Sequence, residues 1–259
     1  MSQKKRNRRQ RIVELTLQQK SVVVDDLAET LGVSAQTVRR DINHLCDINI
    51  LRRRHGGAEV FETEGNTPYD QRAATNPSAK RAIAVAAAGL IPDGSTIAIS
   101  VGTTPMMVAE ALGDKKSLTV ITNNMNAAMA LGREASNRII LPGGELRLPD
   151  LDFVGDHVVD FFGSYRTDFG VFGVGGVAGD GGLLDFQRSE VRIREKIKDN
   201  SKLVILVLDH TKFGRSAPAV GGEISGMDRV ILDMKPQDDF AALLDGLGDR
   251  LILAGGALQ

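Results

Sequence analysis

The stretch "AISVGTTP", Ala98 to Pro105, reads as a strand that stops on a glycine, presents two adjacent hydroxyls and meets a proline able to open a helix. That arrangement suits an anion. Gly102 lets the backbone approach, Thr103 and Thr104 offer hydroxyl hydrogen bonds, and a helix beginning near Pro105 turns free N–H groups and a positive dipole end towards the ligand. A phosphate fits best; a threonine that merely caps the helix is the alternative, and the two roles coexist. Similar chemistry follows four other apolar runs: Thr122, Asn123 and Asn124; Gly143, Gly144 and Glu145; Gly173 to Gly182; and Asp209, His210, Thr211 and Lys212. The first glycines of "GVGGVAGDGG" resemble a dinucleotide turn. That segment runs into Asp180, Gly181 and Gly182 instead of opening an amphipathic helix, so no nicotinamide site is assigned.

The elements that must position these loops are strands alternating with helices. "TIAISV", "LTVIT", "RIILP", "DFGVFGV", "KLVILVLD" and "RVILD" are continuous apolar strands. Helices are expected around Met106 to Leu112, Asn126 to Arg133, Val158 to Phe162 and Glu190 to Lys198. Strands without polar alternation are buried on both faces, which predicts a mostly parallel α/β sheet. Ligands of such sheets bind at the carboxyl ends of the strands, where the polar loops fall. The helix "AKRAIAVAAAGLI" leads into the sheet, with Ser78 expected as its cap, and residues 61–77, polar and with Pro68 and Pro77, read as a linker.

The chain's first 55 residues differ in charge from the rest. They hold 12 Lys/Arg against 6 Asp/Glu, whereas the remainder holds 20 against 27, so a basic end is joined to an acidic body. Such a split points to a polyanion-binding module. After "KKRNRRQR", Ile12 and Leu15, with Val13 and Leu17 beside them, give a first helix its apolar side. A short helix with Leu27 and Leu31, a turn at Gly32 and a second helix capped by Ser34 follow. In that second helix Val38, Ile42 and Leu45 fall at i, i+4 and i+7, leaving Gln36, Thr37, Arg39 and Arg40 outward. Gln and Arg match adenine and guanine edges in the major groove, and Thr suits a phosphate or a thymine methyl, so Ser34, Gln36, Thr37, Arg39 and Arg40 are the expected DNA contacts. "ILRRRHGGAEV" then predicts a hairpin wing whose Arg52, Arg53, Arg54 and His55 lie along phosphates. Residues 1–60 are thus read as a winged helix-turn-helix domain and 78–259 as an effector-sensing domain.

The composition is that of a globular protein, with 25% charged residues. One cysteine, Cys46, forms no internal disulfide, and His44, His55, His157 and His210 are scattered, so neither a metal nor another cofactor is expected. The longest apolar runs, such as "LVILVL", are too short to span a bilayer, and the basic N-terminus lacks an apolar h-region. A reducing cytoplasm is the expected compartment.

"VSAQTVRRDINHL" followed by "LRRRHGGA" resembles the DeoR-type bacterial transcriptional regulators. The resemblance covers the whole chain and implies a winged helix-turn-helix joined to a sugar-phosphate-sensing α/β domain related to ribose-5-phosphate isomerase and glucosamine-6-phosphate deaminase. By resemblance, effector roles fall on Lys80, on Gly102, Thr103 and Thr104, on Thr122, Asn123 and Asn124, and on Asp209 and Lys212; Gly143, Gly144 and Asp168 are further expected effector residues. The relationship also makes an isomerase-like enzyme the rival reading, since enediol chemistry needs a carboxylate base and a cation. Asp168, Asp180, Asp185, Glu190 and Asp209, with Lys80, Lys196 and Lys212, are available for it. The closely spaced aspartates of the isomerase segment are missing from "TDFGVFGVGGVAGDGG", however, so binding without turnover is expected and no catalytic residue is assigned. "RHGGA", "NTPYDQRAAT", "DFGVFGVGGV" and "DHTKFGR" look closest to the glycerol-3-phosphate branch of the family. The resemblance therefore implies a homo-oligomeric repressor on double-stranded operator DNA, answering to glycerol 3-phosphate or a sugar phosphate. Repressor and activator share every one of these motifs.

Overall fold

A computed structural model describes residues 3–19, 21–47, 51–54, 56–60, 66–148, 150–236 and 238–257. The chain divides into two compact units, Met1–Gln71 and Arg72–Gln259.

The first unit runs α1 (Gln3–Gln19), β1 (Ser21–Val23), α2 (Val24–Leu31), α3 (Ala35–Asp47), β2 (Leu51–Arg54) and β3 (Gly57–Val60). The basic run lies inside α1 instead of preceding it. Gly32, at φ 62°, ends α2 in the left-handed conformation that glycine adopts without strain. Ser34 Oγ then accepts from Thr37 N–H at 3.3 Å, capping α3. The expected stripe is buried: Val38, Ile42 and Leu45 pack with Ile12, Leu15, Leu27 and Leu51. Each such side chain stabilises the unit by about 1.5–3 kcal/mol relative to exposure. Strands β1, β3 and β2 form one antiparallel sheet with β3 central. A Cβ on Gly57 would lie 1.9 Å from the Val22 carbonyl oxygen, so β1 and β3 meet this closely only because the residue is glycine. Helix α4 (Tyr69–Ala74) lies in the segment read as an aperiodic linker, and the division between the units falls within it.

The second unit continues α5 (Pro77–Gly89), β4 (Thr96–Ile99), α6 (Thr103–Ala111), β5 (Thr119–Thr122), α7 (Met125–Leu131), β6 (Arg138–Ile140), β7 (Leu146–Arg147), β8 (Asp152–Phe153), α8 (Asp156–Gly163), β9 (Thr167–Phe172), β10 (Gly176–Val177), β11 (Gly182–Asp185), α9 (Arg188–Asn200), β12 (Ser201–Val207), β13 (Ala219–Glu223), β14 (Arg229–Leu232), α10 (Ala241–Asp245) and β15 (Leu251–Leu253). Asn76, not Ser78, precedes α5 as its cap residue, with Pro77 at the first helical position; Ser78 is inside the helix.

Seven strands form the main sheet in the order β15-β14-β12-β9-β4-β5-β6, and every pairing in it is parallel. Alternate residues of its strands face opposite apolar layers. Val171, Ile205, Val207 and Ile231 pack with α5, α6 and α7, while Phe172, Val204, Leu206 and Val230 pack with α8, α9 and α10. This is why the strands read as unbroken apolar runs. The order reverses between β4 and β9: β5 and β6 extend the sheet one way, and β12, β14 and β15 the other. A crevice opens at the carboxyl ends of the strands at such a switch point. Strands β10, β11 and β13 form a separate antiparallel sheet, and β7 pairs with β8. Among the described residues no helix is long and apolar enough to cross a membrane.

Candidate functional site

In the first unit the outward face of α3 carries Ser34, Gln36, Arg39 and Arg40, all exposed, with Thr37 half-buried beside them. Thr37 Oγ1 lies 2.9 Å from Ser34 Oγ, so both hydroxyls help to shape the first turn. In the wing, Arg53 and Arg54 are exposed. Arg53 Nη2 donates to Asn43 Oδ1 at 2.8 Å, tying β2 to the reading helix, and Arg54 Nη1 donates to Ser21 Oγ at 3.2 Å. His55 and the side chains of Arg52 and Leu17 lie outside the described residues.

Sequence reasoning missed what holds α3 in place. Asp41 is 1% exposed and accepts from Arg8 Nε at 2.7 Å and Arg9 Nε at 2.8 Å. Two cations of the basic run are therefore committed to one carboxylate on the inner face of α3. An acid directly following Arg39 and Arg40, one residue before the apolar Ile42, was the available signal.

In the second unit the loops after β4, β9 and β12 converge at the switch point. Gly102 precedes α6 with φ 124° and no side-chain cap. A Cβ there would lie 3.2 Å from the Pro105 ring, and one on Gly173 would lie 3.3 Å from the Val207 carbonyl oxygen and 3.5 Å from Pro105. Thr103 and Thr104 are buried in the first turn of α6 and do not serve as its cap. The first backbone hydrogen bond of that turn runs from Met106 N–H to the Gly102 carbonyl.

Beside them lies a cluster of charge. Lys80 on α5 is 2% exposed, and its Nζ donates to the Arg72 carbonyl and, at 2.8 Å, to the Thr75 carbonyl. Asp209, just beyond β12, is 1% exposed and accepts from Asn76 Nδ2 at 3.4 Å, from Thr211 N–H at 3.1 Å and from the Thr211 hydroxyl. Burial lowers Lys80 to about 8, with Arg72 and Arg215 pushing the same way and Asp209 opposing. Burial and Arg215 bring Lys212 down to about 7, again against Asp209. Burial alone would raise the Asp209 carboxyl, but Lys212, the Thr211 hydroxyl and Lys80 hold it below the usual range. Arg215 stacks on Phe186, its Cζ 4.8 Å from the ring centroid, and donates to the Gly175 carbonyl. Lys80, Lys212 and Arg215 thus act electrostatically around the buried Asp209 carboxylate, while Arg72, itself ion-paired to Asp150, opposes the charge of both lysines. Such an excess of desolvated positive charge stabilises an anion.

The other expected effector residues are divided. Asn124 Oδ1 caps α7 by accepting from Ala127 N–H, while its buried Nδ2 has no partner among the described residues. Asn123 Nδ2 donates to the Phe153 carbonyl, and its buried Oδ1 has no partner among them. These orphaned groups offer one donor and one acceptor for hydroxyls or ordered water. Thr122 is fully buried and its hydroxyl is spent between the Ile99 carbonyl and Asn124 N–H, so it orders the loop. Gly143 and Gly144 follow the edge strand β6, two strands from β4, where the Gly143 carbonyl lies 3.0 Å from His157 Nε2. Asp168 is at the opposite end of the sheet. It opens β9, accepts from Thr96 N–H and pairs with Lys202 at 2.8 Å, which stitches the amino ends of three strands together.

The remaining carboxylates considered for enediol chemistry are engaged. Asp185 accepts from Arg194 Nη2 at 2.9 Å and from Gly175 N–H at 2.9 Å. Glu190 shares Arg147 with Asp150 and Asp152, Asp180 accepts from Gly182 N–H, and Lys196 is exposed on α9. Among the described residues no group of three or more His, Cys, Asp or Glu could hold a metal ion. Arg72, Asn76, Arg147 and Arg215 escaped the sequence reading.

The DeoR-like helix-turn-helix domain family matches residues 8–64, and the DeoR C terminal sensor domain family matches residues 75–234. The glycerol-3-phosphate regulon repressor of Escherichia coli is 44% identical over 233 residues, covering 90% of this chain and 92% of that protein. The glycerol-3-phosphate regulon repressor of Haemophilus influenzae is 37% identical over 252 residues, covering 97% and 98%. Ribose 5-phosphate isomerase of Methanocaldococcus jannaschii superposes with a TM-score of 0.40 at 16% identity, over 54% of this chain and 56% of that one. With a helix-turn-helix unit and a sensor domain in one chain, and relatives of this identity along nearly its full length, the protein belongs to the DeoR family of transcriptional regulators.

Proposed function

We propose that this regulator is a repressor whose affinity for double-stranded operator DNA is lowered by a small phosphorylated metabolite, glycerol 3-phosphate, bound at the carboxyl end of the parallel sheet. The observation that carries the reading is the cluster of buried Lys80 and half-buried Lys212 and Arg215 around the buried Asp209, with the Asp150-paired Arg72 beside Lys80, beyond the carboxyl end of β12 in a chain that also bears a helix-turn-helix. The cations and the first turn of α6 take the phosphate; Asn123 and Asn124 take hydroxyls. Glycerol 3-phosphate is chosen over sugar phosphates because the relatives of Escherichia coli and Haemophilus influenzae are repressors of the glycerol-3-phosphate regulon. Two copies would read two half-sites, which makes the active form a homo-oligomer working in the bacterial cytoplasm.

The test is fluorescence anisotropy of the full chain on DNA from upstream of its own gene and neighbouring operons, at fixed salt, with glycerol 3-phosphate and then sugar phosphates titrated in. Release by glycerol 3-phosphate at lower concentration than by any sugar phosphate is expected. Specific binding that no phosphate alters would overturn the sensing role, and release by a hexose or pentose phosphate alone would reassign the effector. A promoter-fused reporter that rises on deletion of the gene separates repression from activation.

A further inference from the structure

Lys80 ties the charge cluster to the segment that leads back to the DNA-binding unit. Helix α4 spans Tyr69–Ala74 and carries the boundary between the two units. Its carboxyl end meets α5 through a two-residue joint, Thr75 and Asn76, in which Asn76 is held at φ 49°. Three side-chain hydrogen bonds fasten this joint, and each involves a charged residue of the cluster: Lys80 Nζ donates to the Arg72 carbonyl and to the Thr75 carbonyl, and Asp209 accepts from Asn76 Nδ2. The carbonyls at a helix end lack intrahelical partners, so a buried ammonium is a costly one to lose.

We propose that the α4–α5 joint transmits effector occupancy to the DNA-binding unit, with Lys80 as the coupling residue: its ammonium is held by the carbonyls of Arg72 and Thr75 in the operator-binding state and by the effector's phosphate in the released state. The proposal rests on the effector site described above and adds the route by which that site acts. A phosphate that draws Lys80 towards itself leaves two carbonyls without their donor, and the end of α4 loosens from α5. The effector is then differentially bound by the state in which the joint is open, which is the thermodynamic requirement for it to shift the equilibrium. Asn76 has a positioning role through Asp209 and touches no ligand.

The discriminating variant is Lys80→Met, which keeps the buried stem and removes the donor. If Lys80 were a ligand contact alone, K80M would hold operator DNA as tightly as the wild type and ignore glycerol 3-phosphate. With Lys80 fastening the joint, K80M in the absence of any phosphate has its operator affinity reduced by the same factor as saturating effector produces in the wild type, within the roughly 5- to 150-fold span of ordinary coupling. Wild-type operator affinity in K80M overturns the proposal. Asn76→Gly, which tolerates the positive φ and loses the bond to Asp209, weakens operator binding while glycerol 3-phosphate binds as tightly as before or tighter, because coupling is reciprocal. Loss of effector binding in N76G would overturn the positioning role.

Hydrogen exchange on the full-length wild type is independent of how either variant folds. Amides of residues 72–80 exchange faster with saturating glycerol 3-phosphate than without it; unchanged protection there, alongside release from DNA, overturns the joint. A wild type that no phosphate releases overturns the effector reading, whereas the operator affinity of K80M reports on the joint without any effector present.

Discussion

The two units put charge to opposite uses. In the DNA-binding unit Gln36, Arg39, Arg40, Arg53 and Arg54 stand on the surface, open to a polyanion. In the sensor unit Lys80 and Asp209 are almost wholly buried, and Lys80 and Lys212 are pushed down to about 8 and about 7 by desolvation. Exposed cations keep their hydration until DNA displaces it, so they give affinity that depends on salt. Buried cations have already lost theirs, so they discriminate by charge and shape and respond to pH.

The largest expected effect would break the comparison at its structural end. Asp41 is the DNA-binding unit's buried exception, and Asp41→Ala leaves Arg8 and Arg9 without their carboxylate. That should cost about 3–5 kcal/mol and abolish operator binding, read by urea unfolding and gel shift. Asp41→Asn, which keeps one acceptor oxygen, should cost less.

Next comes the sensor. Arg215→Met keeps packing on Phe186 and removes a donor, so glycerol 3-phosphate affinity should fall roughly tenfold or more, by the 1.5–3 kcal/mol of a charged hydrogen bond. Operator binding without effector should be unchanged.

The pH dependence sharpens the contrast. With Lys212 near 7 and Lys80 near 8, effector affinity should decline as pH rises through 7 to 9, and binding at pH 8 should take up protons. Titration calorimetry in buffers of different ionisation enthalpy measures that uptake. The stability of the sensor unit moves the other way. Both folded-state lysines lie below the ordinary 10.5, so between about 7 and 10.5 the unfolded chain binds more protons and stability rises with pH.

The smallest effects separate helix from wing. Arg39→Ala or Arg40→Ala should change base preference at one position by about 1–3 kcal/mol. Arg53→Ala should weaken all sequences alike and reduce the salt slope by about one. Because Arg53 also holds Asn43, Asn43→Ala distinguishes the phosphate contact from the packing role.

Some of this was legible in the sequence. The stripe of Val38, Ile42 and Leu45 was visible because a half-buried helix writes its period into the chain, and the main strands were visible because burial on both faces makes them continuous. Strand β15 and the two-residue strands β7, β8 and β10 were not, being too short to carry a pattern. The glycine turn that opens α6 at Gly102 could be read locally, since glycine, hydroxyls and helix start are adjacent. Arg72 and Arg215 could not, because their place in the cluster depends on α4 and the loop between β12 and β13 reaching Lys80 and Asp209 in space. Asp168 was counted among the expected effector residues, but residue type says nothing about which end of the sheet it occupies. Ser78 was chosen as a cap by preference, yet Asn76 could take the left-handed turn ahead of Pro77.

The most direct test is calorimetric titration of the full-length protein with glycerol 3-phosphate, with glycerol and inorganic phosphate as controls, in wild type and R215M at pH 7. Saturable binding of glycerol 3-phosphate to the wild type, much weaker binding to R215M and intact operator affinity in both is the expected result. No saturable heat with the wild type, or equal affinity in R215M, would contradict the assignment of the buried cation cluster as the effector site.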